Sequence, residues 1–139
     1  MKRVVVLVCV VTLCYLALAS PAGAAAPRYI MVSGPRLAQP ALIDDWNETF
    51  AFIVAVAQSS RTKASLAHRP RYLLSLFWQG TDEPVPTDPK QGNQFGWFYP
   101  AHGTRRAVVD LFVSGSRYPR RAPPRVLAIL ASHGVPTRL

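Results

Sequence analysis

The chain is 139 residues long, 50% hydrophobic and 17% charged, with a formal net charge of +9. That length suits one domain with a modest core and excludes two. The charge bounds solubility and nonspecific binding but identifies no partner, and 13 arginines against 3 lysines in an alanine- and proline-rich chain read first as a compositional habit.

Residues 1–26 have the layout of a secretory signal peptide. Lys2 and Arg3 make a basic start, residues 4–19 are apolar, and residues 20–26 are small with one proline. Cleavage is expected after Ala24, with Ala26 as the alternative. An uncleaved membrane anchor is the competing reading, but the apolar run stops short of the roughly 20 residues that span a bilayer. Cys9 and Cys14 both lie in this leader, so the exported domain would carry no thiol and no disulfide. Removing Lys2 and Arg3 leaves 14 basic against 7 acidic residues, a net +7.

Residues 27–139 form the expected single domain. Residues 28–33 (RYIMVS) read as a first strand, ended by Gly34-Pro35, and residues 40–43 as a short edge strand behind Pro40. Asp45 followed by Glu48 resembles a capping box that opens a helix. Trp46, Phe50, Ile53 and Ala57 share one face at helical spacing, which predicts that this face packs on a sheet. Residues 50–57 also alternate as a strand would, and the acidic start favours the helix. The helix should stop near residues 58–61, although residues 62–68 have room for a further turn or two before Arg69-Pro70.

Residues 71–78 (RYLLSLFW) are apolar on both faces and predict a central strand. Residues 79–94 carry three prolines and two glycines and read as a long irregular loop, a candidate for function. The best-marked stretch is residues 95–113, where two alternating apolar runs flank Ala101-His102-Gly103-Thr104-Arg105, a hairpin loop in which Gly103 supplies positive φ. Residues 115–121 read as another polar turn. Pro123-Pro124 opens a last helix with Val126, Leu127, Ile129 and Leu130 as its stripe, and Gly134 sits at the C-cap before Pro136.

Little of this carries chemistry. His68, His102 and His133 show no metal-ligand spacing, and no nucleotide or hydrolase motif occurs, so neither metal nor cofactor is expected. The acids at residues 44, 45 and 48 are explained by capping. His102, at the hairpin tip, is the candidate general base, with Asp110 as its acid partner. Trp78, Trp97 and Tyr99, with His102, Arg105 and Arg106, are the candidate ligand-contacting residues, since aromatic faces beside polar groups suit a carbohydrate or other small ligand. Arg105, Arg106, Arg117, Arg120, Arg121 and Arg125 could instead serve an anionic polymer or surface.

The sequence therefore predicts an exported, disulfide-free α+β domain, with a mainly antiparallel sheet of four to five strands and two helices on one face. Its expected role is binding or assembly outside the cytoplasm. The alternatives are a small hydrolase-like enzyme using His102 and a basic binder of polyanions. Strands apolar on both faces with helices for only one raise the further expectation of self-association through the uncovered sheet face, unless the long loop or a second sheet covers it. There is no specific nucleic-acid motif and no span in the exported portion.

Overall fold

The computed structural model describes residues 28–78 and 83–139. The leader, both cysteines and residues 79–82 of the long loop lie outside those residues. The strands are β1 (Tyr29–Ser33), β2 (Ala41–Ile43), β3 (Tyr72–Phe77), β4 (Asn93–Tyr99), β5 (Val108–Val113) and β6 (Ser116–Arg121), and the helices are α1 (Trp46–Gln58) and α2 (Pro124–Ser132). All six strands make one antiparallel sheet in the order β2-β1-β3-β4-β5-β6. The class is α+β, as expected, with a sheet larger than four to five strands.

The additional strand is β6, whose Ser-Arg-Tyr-Pro-Arg-Arg reads as turn in isolation. Proline and arginine are what an edge strand uses to stop further pairing, so the polar composition follows from the edge position. Ser114 (φ 49°) and Gly115 (φ 77°) form the two-residue turn of positive φ that a tight hairpin needs. The outer side of β6 is in turn covered, because Arg121 N donates to Ser60 O at 3.0 Å and Thr62 N to Pro119 O at 3.0 Å. Residues 62–68 are not helical.

The β4–β5 hairpin is where the sequence placed it. Its ladder lapses at Pro100 and resumes between His102 and Arg105, joined by backbone hydrogen bonds of 3.0 and 2.9 Å. Gly103 has φ 56° between them. On the other side of β4 the register slips at one point: Leu74 faces Gly96, and Ser75 faces Gln94. Phe95 is the extra residue of this bulge. A Cβ on Gly96 would stand 2.7 Å from the Asp110 carbonyl oxygen, so only glycine lets β5 come this close.

Residues 50–57 are helical, and Asp45 caps α1 by accepting from Glu48 N at 2.9 Å. The buried face is not the expected one. Thr49, Phe52 and Val56 face the sheet, while Trp46 and Phe50 are 44% and 46% exposed and stack on each other at 6.1 Å. This helix is apolar nearly all round, so it offers two stripes of similar strength. The fold selects the one in which Phe52 meets the bulged Phe95 edge-on at 6.4 Å. Thr49 tolerates burial by donating to the carbonyls of Arg28 and Ile43 at 3.5 Å. With Ile30, Val32, Leu74, Phe98 and Val109 from the sheet and Val126, Ile129 and Leu130 from α2, these residues form the main core. α2 ends in a Schellman arrangement, Gly134 at φ 75° with Val135 N donating to Leu130 O at 2.9 Å. The two helices are tied by His133 Nε2 and Glu48 Oε2 at 2.6 Å.

The opposite sheet face has its own small cluster of Tyr29, Met31 and Phe77. The 3₁₀ turn Pro89–Gln91 lies over β1, and Gly92 presses on the Phe77 ring. The long loop thus covers part of the face left open by the helices.

Candidate binding sites

The hairpin loop, the end of α1 and the start of α2 come together around an open groove of about 650 Å³. Arg105 and Arg106 enter it from the loop, and Arg121 from the end of β6. Arg138 joins them because the C-terminal segment folds back onto the loop, with Ala101 N donating to Thr137 O at 2.9 Å and Leu139 N to Ala101 O at 2.8 Å. No acidic residue lines the groove, and none of the four arginines has a salt bridge among the described residues. Pro123 and Pro124, at the start of α2, also line it, and Pro123 as N-cap offers no side-chain acceptor. The first-turn N–H groups and the positive end of the helix dipole therefore add to the field of the arginines.

On the opposite sheet face a second cavity of about 350 Å³ is bounded by residues 66–69, Arg71, Tyr99 and Arg117. Arg69 is buried there and bridges two carbonyls of the hairpin neck, Nη2 donating to Pro100 O at 2.8 Å and Arg106 O at 2.9 Å. Burial, and then the nearby charge of Arg105, hold its pKa below the ordinary arginine value. Arg71 lies 4.0 Å over the Trp97 ring, which meets Phe112 edge-on. Arg117 Nη2 ion-pairs with Asp110, a carboxylate only 1% exposed, and donates to Tyr99 Oη at 3.0 Å. Burial alone would lower the pKa of Arg117, but these hydrogen bonds outweigh it and raise the pKa.

The residues singled out in the sequence are divided among three places. Arg105 and Arg106 line the groove, with His102 exposed on the turn beside them. Trp97 and Tyr99 belong to the opposite face. Trp78 is exposed just beyond β3, at the far end of the strand from the β4 end that carries Tyr99, and no described residue of the long loop lines either cavity. His102 and Asp110 are not brought together. Arg105, the partner of His102, is five residues from Asp110, about 16 Å of extended chain. No family model, curated protein or solved structure matches this chain.

Of the six arginines grouped in the sequence, three line the groove. Arg120 does not: its Nη1 donates to Ala57 O at 3.2 Å and to Ser59 O, closing the C-terminus of α1, and burial, then Arg61, lower its pKa. Arg117 serves Asp110, and Arg125 is exposed on the first turn of α2. Sequence reasoning missed Arg69 and Arg138. Arg138 follows from the fold-back of the last residues, which has no local signature. Arg69 had only the hint of preceding a proline.

Proposed function

We propose that this chain is a non-catalytic binding domain acting outside the cytoplasm, and that it holds an acidic polysaccharide along the groove at the hairpin tip. The observation that carries the reading is four arginines around one open groove, with no carboxylate partner among the described residues. Such a surface attracts polyanions by releasing their condensed counterions. The groove has no aromatic side chain, so unpaired bases would find no stacking platform, and this favours a polymer recognised by charge over single-stranded nucleic acid. The export half of the proposal rests on the leader-like layout of residues 1–26. The hydrolase-like reading has less support, because Asp110 is held by Arg117 and is remote from His102.

The test is the affinity of the purified protein for heparin, used as a model acidic polysaccharide. Arg105→Gln combined with Arg121→Gln is expected to weaken binding about tenfold or more, as loss of two polyanion contacts should. Lys63→Gln, exposed and away from the groove, is expected to leave it unchanged. A double variant that binds like the parent would remove the groove from the account.

A further inference from the structure

The cavity under Arg69 differs from the groove in holding a buried cation with donors left over. Arg69 is 8% exposed, and its Nη2 gives both hydrogens to the Pro100 and Arg106 carbonyls. Its Nε and Nη1 are sealed from solvent and have no hydrogen-bond partner among the described residues. Native proteins leave few such groups unsatisfied, because a buried donor without an acceptor keeps its full desolvation cost. The Tyr99 ring, 5.7 Å from the guanidinium carbon, supplies only the weak attraction of a π face. Among the described residues no carboxylate lines the cavity, and Asp110, the partner of the lining Arg117, is already paired. Around Arg69 stand Arg71, oriented by its stacking on Trp97, and the Tyr99 hydroxyl, which accepts from Arg117 and keeps its own proton to donate.

We propose that this cavity binds one compact oxyanion, a phosphate or carboxylate group, held by Arg71 and the Tyr99 hydroxyl against the buried charge of Arg69. The oxyanion balances a charge that the fold has drawn out of water and left without a carboxylate partner among the described residues. The site lies on the sheet face away from the helices and stands independently of the groove: its anion is small, it is built around a buried charge, and none of the four groove arginines lines it.

The experiment is an NMR titration of the whole protein with inorganic phosphate at constant ionic strength, repeated with acetate and with chloride. The readouts are the Trp97 indole and Arg69 Nε–H signals. Expected are shifts that saturate with a Kd of about 1 mM or tighter for phosphate or for acetate, whichever saturates naming the ligand class, and that chloride does not reproduce. Arg71→Gln, an exposed position, should weaken this binding at least fivefold, while Arg138→Gln in the groove should leave it unchanged. Shifts that grow linearly for both anions, that chloride reproduces, or that are unaffected by Arg71→Gln would overturn the site. Arg69→Gln, which removes the buried charge, is a second variant with the same expected loss; should it not fold, Arg71→Gln decides.

Discussion

Phe52→Ala is expected to lower the free energy of unfolding by about 3–5 kcal/mol, the usual cost of emptying a fully buried phenylalanine site. Phe50→Ala, two residues along the same helix, should cost about 1 kcal/mol or less. Urea unfolding followed by circular dichroism measures both. The contrast follows from the phase of α1: Phe52 is fully buried against Phe95, whereas Phe50 is 46% exposed and contacts the ring of Trp46. Equal losses at the two positions, or a larger loss at Phe50, would mean that the helix presents its other stripe to the sheet.

Arg117→Ala should destabilise the protein by about 3 kcal/mol, because it leaves the Asp110 carboxylate buried without a cation. Asp110→Asn should cost much less, since Arg117 is half-exposed and water can solvate it once the carboxylate is gone. Combining the two changes should therefore recover much of the loss caused by Arg117→Ala, and thermal unfolding of the two single variants and the double variant measures the coupling directly. Strictly additive losses would show that the pair does not act as one unit. The same pair positions the Tyr99 hydroxyl at the small cavity, so its integrity bears on that site as well as on the fold.

How far these features could be read from the residues depends on the range of the interactions that set them. The Asp45 cap, the Gly103 turn, the Gly134 C-cap and the central position of β3 are written in local chemistry, and all stand where the sequence placed them. The phase of α1 was not legible, because Trp46/Phe50/Ile53/Ala57 and Thr49/Phe52/Val56 are both plausible stripes on a helix with few polar residues. The choice is made by Phe95, 43 residues beyond Phe52 and displaced by the bulge in the pairing of β4 with β3. β6 was hidden for a related reason, since an edge strand needs no hydrophobic alternation to be paired. The arginines were visible as a class but not by task. Long-range geometry separates Arg120, which closes a helix, and Arg117, which holds a carboxylate, from the four that line the groove.

The most direct test of the groove as a polyanion site is the salt dependence of heparin binding. Four arginine contacts predict that log K falls against log salt with a slope of about −3. In the Arg105→Gln, Arg121→Gln double variant the slope should be roughly halved. Affinity that does not fall with salt, or a slope that the double variant leaves unchanged, would contradict the account.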